Sequence, residues 1–365
     1  WASNRKISCW MILADRIRSR SPGRLFFVAF VLLLGACSAD PEPLKLAGAS
    51  MGTRWHATIV PPPDGLNVDH LQAGIQAQLD RVEESMSTYR SSSEISRFNA
   101  GPIDTPVPVS TDFYAVLSTA LSVGRQSGGA YDVTVGSLVD LWGFGASAPP
   151  ENVPEDQMIE DLVAASGHRH LQVDNESQSV SRQSALSLDF SSLAKGYGVD
   201  VVADWLQEQG IGRYLVEVGG EMRVAGLSHR GDHWQVAIER PDSTVRSAAA
   251  GVSLTDKAIA TSGDYRNYFE LEGKRYSHLI DPRTGWPVTH DLVSVTVIHP
   301  SAMLADAWAT ALTVLGFDAA MAVAQEQGLA VYFIRRSGDS LDYRHTEEFS
   351  PYLVVQQQQG EDARE

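Results

Sequence analysis

The sequence reads as one of the mixed structural classes, α+β or α/β. Two patterns carry this. Some segments repeat apolar residues at helical spacing, and others alternate or run β-branched. The two kinds are interleaved along the chain, with more strands in the second half. Residues 69–90 put Leu71, Ile75, Leu79, Val82 and Met86 on one helix face. A second helix fits 111–126, with Phe113, Val116, Leu117, Ala120, Leu121 and Val123 inward and Ser110 or Thr111 as its cap. Residues 139–153, rich in Gly, Ala and Pro, read as a loop, and 156–165 as a short helix. Strands are expected at 170–173 and 184–189, then a helix over 195–209 that Gly210 closes. Further strands fit 215–218, 234–239, 268–271 and 293–298. Helices fit 303–315 and 318–327, and a last strand fits 330–334. There is no clean internal repeat.

A chain of 365 residues with 43% hydrophobic content can bury a large core, as one domain or two fused halves. Its N-terminus reads as a processing segment. Arg16, Arg18, Arg20 and Arg24 precede an apolar run over 25–34, which has the length of a signal-peptide core and is short for a membrane span. Leu34-Gly35-Ala36-Cys37 then resembles a lipobox, with Cys37 lipidated as the mature N-terminus; the bland alternative is a buried helix with a chance cysteine. Met11 reads as the start, and 1–10 as an upstream extension. The expected organisation is a signal peptide with its extension over 1–36, a lipidated tether over 37–47, a folded domain over 48–345, and a tail over 346–365 whose end is disordered. The expected location is outside the cytoplasm, lipid-anchored to the cell membrane on its periplasmic side. Ser38 leaves inner and outer membrane both open.

Residues 1–36 hold six basic residues and one acid, so removing them takes the net charge from −16 to −21. That balance argues against nucleic acid or anionic lipid as the main partner, and leaves room for a bound cation. Of the two cysteines only Cys37 would remain, which excludes an intrachain disulfide and a thiolate metal cluster.

Four clusters carry candidate chemistry. In Asp189-Phe-Ser-Ser-Leu-Ala-Lys195-Gly-Tyr-Gly198 an acid ends a strand and a helix opens near Lys195. Helix-start N–H groups with a lysine suit a phosphate or pyrophosphate; a capped, closely packed helix is the alternative. Asp306 and Thr310 lie one helical turn apart in an apolar setting. They offer two hard oxygen ligands to Mg²⁺, or bond to each other. His278 stands just ahead of the turn Asp281-Pro-Arg-Thr-Gly285, near an acid, as a proton acceptor or a structural histidine. Gly128-Gly-Ala-Tyr-Asp-Val-Thr-Val-Gly136 and Leu141-Trp-Gly-Phe-Gly145 supply glycines for close approach and aromatics for a flat ring.

Together and in order, these motifs resemble the ApbE family of FAD:protein FMN transferases. The resemblance includes Met51-Gly-Thr, Met86-Ser-Thr-Tyr89, Ser93-Glu-Ile-Ser-Arg-Phe-Asn99, Val218-Gly-Gly-Glu221, Ala260-Thr-Ser-Gly263 and Ala305-Asp-Ala-Trp-Ala-Thr310, and it covers roughly 48–335. It implies an α+β, T-fold-related, tandem-duplicated architecture with an FAD cleft. It also implies Mg²⁺ at Asp306, Thr310 and Ser192, the last through its backbone or its hydroxyl. FAD contacts carry over onto Met51, Tyr89, Ala130, Tyr131, Asp132, Asp189, Lys195 and Ile280, and the base onto His278. The implied reaction joins FMN to a Thr or Ser hydroxyl of exported redox proteins bearing an Asp/Ser-Gly-Ala-Thr/Ser type motif, releasing AMP. This chain has no such motif, so self-modification is not expected. The competing readings are an FAD pyrophosphatase and a non-catalytic FAD-binding lipoprotein. Whether Asp132 and Glu221 touch the cofactor or support a turn stays open at this point.

Overall fold

The computed structural model describes residues 42–60, 65, 67–241, 247–263 and 267–354. The expected signal peptide, Cys37, the proline run 61–63 and the tail over 356–365 lie outside the described residues.

Two strands, β1 (Leu44–Ser50) and β2 (Thr53–Ile59), form the opening hairpin. Helices α1 (Val68–Met86) and α2 (Glu94–Ala100), a short β3 (Val107–Pro108) and helices α3 (Thr111–Gln126), α4 (Gly136–Leu141) and α5 (Asp156–Ala165) follow. Then come β4 (Leu171–Asp174), β5 (Ser179–Arg182), α6 (Ala194–Glu208), β6 (Tyr214–Val218), β7 (Glu221–Ala225), β8 (Trp234–Glu239), β9 (Ala248–Leu254) and β10 (Lys257–Gly263). The chain closes with β11 (Tyr268–Leu271), β12 (Lys274–Ser277), β13 (Leu292–His299), α7 (Ala302–Leu315), α8 (Phe317–Glu326), β14 (Ala330–Ser337) and β15 (Ser340–His345).

Eight strands make one antiparallel sheet in the order β1-β2-β6-β7-β10-β13-β14-β15. Strand alternation gives this sheet two distinct faces. Trp55, Ala57, Ile59, Tyr214, Val216 and Val218 pack toward α1 and α6. Val224, Ile259, Tyr332 and Ile334 pack on the other face against the β8–β9 hairpin through Trp234, Ile238, Val252 and Leu254. With helices on one face and a hairpin on the other, this is α+β architecture.

The N-terminus of α7 is fixed by an acid from a neighbouring helix. Asp200 of α6 accepts from Ser301 Oγ at 2.7 Å and from the N–H groups of Ala302 and Met303 at 3.0 Å. These bonds satisfy helix-start donors that would otherwise be orphaned. At Gly196 the two helices touch: an added Cβ would lie 2.3 Å from Ala302 O and 2.8 Å from Met303 Cα. Both obstacles are backbone, so Gly196→Ala is expected to cost about 1–3 kcal/mol through overpacking. A thermal unfolding midpoint equal to that of the parent protein would contradict this close contact.

The structure corrects several expectations. Segment 184–189 is not a strand. Only Ser187 forms a bridge, to Val135, and Asn99 takes the neighbouring backbone group: it donates to Leu188 O at 2.9 Å and accepts from Leu188 N at 2.8 Å. The helix expected over 69–90 stops at Met86, where Ser87 turns extended and its carbonyl accepts from Ser93 and Ser96 hydroxyls. The loop expected over 139–153 begins inside α4. The strand ending at 334 is not the last, because β15 pairs with β14. Residues 44–47, expected as tether, belong to β1, and 347–352, expected as tail, form a 3₁₀ turn that buries Phe349.

Candidate active site

A cavity of about 1640 Å³ runs round one end of the main sheet. It collects every proposed cofactor, metal and catalytic residue among the described ones: Met51, Tyr89, Ala130, Tyr131, Asp132, Asp189, Ser192, Lys195, His278, Ile280, Asp306 and Thr310. They come from segments as far apart in sequence as β1–β2 and α7, which the fold brings to one cavity.

At its base lies a buried charge cluster. Lys195, in the first turn of α6, pairs with Glu221 at the start of β7, and its Nζ stands 3.8 Å from Asp306 Oδ2. The same Asp306 oxygen accepts from Gly196 N at 3.0 Å. Its partners among the described residues are therefore Lys195 and Gly196, not Thr310, so the reading of a local Asp–Thr bond fails. Burial pushes the Asp306 carboxyl up, and Lys195 and the Gly196 N–H oppose that rise. Burial also pushes Glu221 up, to about 8, with Lys195 again opposing. For Lys195 burial acts downward, but two adjacent acids outweigh it and hold the ammonium above the ordinary lysine range. Two buried acids share a single lysine, and the net rise of both carboxyls, driven by burial, reflects that shortage of positive charge.

Around this cluster the donors are hard. Ser192 Oγ lies 2.8 Å from Tyr131 Oη, and Thr310 follows Asp306 by one turn of α7. No group of three His, Cys, Asp or Glu suited to a metal occurs among the described residues. One carboxylate with two hydroxyl residues, beside a second acid that shares the same lysine, fits a cation that prefers oxygen and retains waters. Mg²⁺ matches this description, and a thiolate or imidazole metal does not.

His278 lines the same cavity. Its Nδ1 is 3.0 Å from Asn267 O, and its own N–H donates to the same carbonyl at 3.1 Å. A carbonyl only accepts, so Nδ1 carries the proton and Nε2 is left as the acceptor in the neutral ring. The acid expected near His278 is otherwise engaged, since Asp281 is bonded by Arg283 at 2.8 and 2.7 Å. Burial lowers the His278 pKa from 6.5, the Asn267 carbonyl opposes, and Lys195 lowers it further.

The carboxylates of Asp132 and Glu221 are held in different ways. Asp132 accepts from Thr134 N at 2.9 Å, Thr134 Oγ1 at 2.7 Å and His168 N at 3.2 Å, so its carboxylate shapes the turn although it lines the cavity. Asp189 likewise binds Ser191 N and Oγ at 2.7 and 2.6 Å. Glu221 belongs to the site itself, as the partner of Lys195. Tyr89 is 68% exposed at the cavity mouth, and Ile280 is buried beside the turn through its bridge with Pro287.

An α+β domain whose cleft holds a lysine, hard oxygen donors and a histidine with an open Nε2 has the makings of a nucleotide-binding, phosphate-handling enzyme. The profile of the ApbE family matches residues 51–333. The FAD:protein FMN transferase of Vibrio cholerae serotype O1 is 44% identical over 329 residues, covering 90% of this chain and 98% of that protein. The enzyme of the same name from Escherichia coli K12 is 41% identical over 342 residues, covering 91% and 97%. Among solved structures, the flavin transferase ApbE from Vibrio cholerae superposes with a TM-score of 0.79 at 42% identity, covering 86% of this chain and 99% of that one. The Thermotoga maritima ApbE protein gives 0.76 at 26% identity, covering 85% and 99%. The chain belongs to the ApbE family.

Proposed function

We propose that this protein transfers FMN from FAD to a Thr or Ser hydroxyl of other proteins, through a phosphoester bond, and releases AMP. The observation that carries the reading is the convergence of Lys195, Asp306, Thr310, Ser192 and His278 on one cavity. The names of relatives that align over nearly their whole length support it.

In this reading Asp306, Thr310 and Ser192 hold Mg²⁺. When bound, the ion neutralises charge on the pyrophosphate of FAD. Lys195 adds a fixed cation to the same wall, and its pairing with Glu221 holds it there. His278 Nε2 accepts the proton of the acceptor hydroxyl, and Asn267 O, by holding Nδ1–H, leaves this nitrogen as the acceptor. The hydroxyl oxygen forms a bond to the phosphorus on the FMN side. The bond from that phosphorus to the bridging oxygen breaks, and its electron pair leaves with AMP. Met51, Tyr89, Ala130, Tyr131, Asp132, Asp189 and Ile280 form the FAD cradle.

The acceptors in this reading are exported redox proteins with an Asp/Ser-Gly-Ala-Thr/Ser type sequence. The enzyme meets them outside the cytoplasm, tethered to the membrane by a lipid on Cys37, as supported by the arginine-flanked apolar run and the Leu34–Cys37 motif.

The test is incubation with FAD, Mg²⁺ and a protein carrying Asp-Gly-Ala-Thr, followed by mass measurement of that protein after denaturation. A gain of one FMN, lost with a chelator and restored by Mg²⁺, is expected. An acceptor of unchanged mass would contradict the proposal.

A further inference from the structure

His278 stands at the end of a stack of aromatic rings built from two segments. The first segment is the end of α4. Gly143 takes a left-handed turn, φ 71°, and closes the helix. Its N–H donates to Asp140 O at 3.0 Å, and the Phe144 N–H donates to Val139 O at 3.0 Å. An added Cβ at Gly143 would lie 2.3 Å from Pro149 Cα, so this turn requires glycine. On one side of it Trp142 is fully buried, its Nε1 donating to Gly285 O at 2.8 Å. On the other side Phe144 lines the cavity.

The second segment is the β11–β12 hairpin, in which Phe269 and Tyr276 are cross-strand partners. Trp142 stacks on Tyr276 with centroids 5.3 Å apart, and Tyr276 stacks on Phe269 at 5.5 Å. Phe269 in turn lies 5.2 Å from Phe144. The glycine turn joins two of these rings and the strand ladder joins the other two, so the four form a closed circuit that fixes Phe144. The circuit ends on the base. His278 pairs with Asn267 one step beyond the β11–β12 ladder, its N–H donating to Asn267 O at 3.1 Å. The Phe144 ring meets the imidazole edge to face, with centroids 6.3 Å apart and 68° between the planes, a favourable aromatic geometry. The bond from Nδ1 to Asn267 O restrains one ring atom and leaves rotation about that bond. Phe144 supplies the second restraint. The charged and polar groups nearby do not replace it: Lys195 of α6 acts on the ring through its charge, Asp281 is held by Arg283, and Tyr89 donates to Phe144 O at 3.5 Å.

We infer that Phe144 is a positioning residue for His278. Its ring holds the imidazole against rotation, so that Nε2 keeps one direction, and it excludes water from the side of the imidazole that it covers. The Leu141–Gly145 segment thus serves the base through Phe144, while Trp142 anchors the turn that presents it. This inference rests on the transferase reading, in which His278 is the base.

The test compares Phe144→Leu, which keeps apolar bulk and removes the ring, with Phe144→Tyr, which keeps the ring. Both are assayed as the full chain with FAD, Mg²⁺ and a protein carrying Asp-Gly-Ala-Thr. Phe144→Leu is expected to lower kcat about tenfold to a hundredfold and to leave KM for FAD within about twofold of the parent. Phe144→Tyr is expected to keep kcat within about threefold. Water admitted beside the imidazole weakens the burial that lowers the His278 pKa, while Lys195 and Asn267 act as before. The acid limb of kcat/KM in Phe144→Leu therefore moves up toward pH 6.5. A histidine NMR titration without FAD, with His278 assigned by its loss in His278→Ala, is expected to show the same rise. A raised KM for FAD with kcat and acid limb unchanged would overturn the inference and make Phe144 a flavin contact. Parent-like kcat and titration in Phe144→Leu would overturn it as well. Absence of FMN transfer by the parent would instead overturn the transferase reading, and the titration would still decide whether Phe144 governs the His278 ring.

Discussion

Asp306→Asn lowers Mg²⁺-dependent FMN transfer on the order of 10³-fold while the fold persists. Asparagine keeps an oxygen that can accept from Gly196 N, the bond at 3.0 Å that ties α7 to α6. Lys195 keeps Glu221 as its partner. What disappears is the one carboxylate in the proposed metal set. A purely structural Asp306 would show the reverse pattern, with a large drop in unfolding midpoint and little specific loss of activity. Steady-state transfer rates over a Mg²⁺ titration, with thermal unfolding of the same samples, separate the two. Transfer within tenfold of the parent would contradict the assignment.

His278→Ala lowers transfer by about 10²–10⁴-fold, the usual range for a general base, and leaves FAD binding in place. The pH dependence has a definite sign. The active form of a base is the neutral ring. Burial lowers the His278 pKa below the ordinary 6.5, so the neutral form predominates at pH 7 and is lost as pH falls through the lowered value. The acid limb of kcat/KM is therefore expected below pH 6.5 in the parent and absent from the residual activity of the variant. An acid limb that survives in His278→Ala would transfer the role to another group.

Much of this architecture was legible before folding. The helix over 111–126 and the strand over 234–239 match α3 and β8, because each carries a strong period and a clear boundary residue. Two of the strands that escaped notice are poor in such signals. Residues 44–50 and 257–263 are dominated by small residues; the first joins the sheet only through its hairpin with β2, and the second is placed by β7 and β13, both distant in sequence. The misread segment 184–189 fails for a different reason: a side chain 89 residues away satisfies its backbone, which local pattern cannot show.

The site divides in the same way. Asp306, Thr310, Lys195 and His278 stood in recognisable motifs, and the fold brings them to one cavity. The function of their neighbours did not follow from sequence. Glu221 becomes meaningful only when β7 places it on Lys195, and the orienting partner of His278 is a backbone carbonyl, which has no signature in sequence. The acids beside the expected cofactor turned out unequal: Asp132 and Asp189 are occupied by turn hydrogen bonds, whereas Asp306 faces the lysine.

The most direct measurement of the central claim is the ratio of FMN bound to acceptor protein to AMP released, in one incubation with FAD and Mg²⁺. Transfer through the proposed bond exchange gives a ratio near one, with little free FMN. AMP matched by free FMN, with none on the acceptor, would contradict transfer and make the same site a hydrolase.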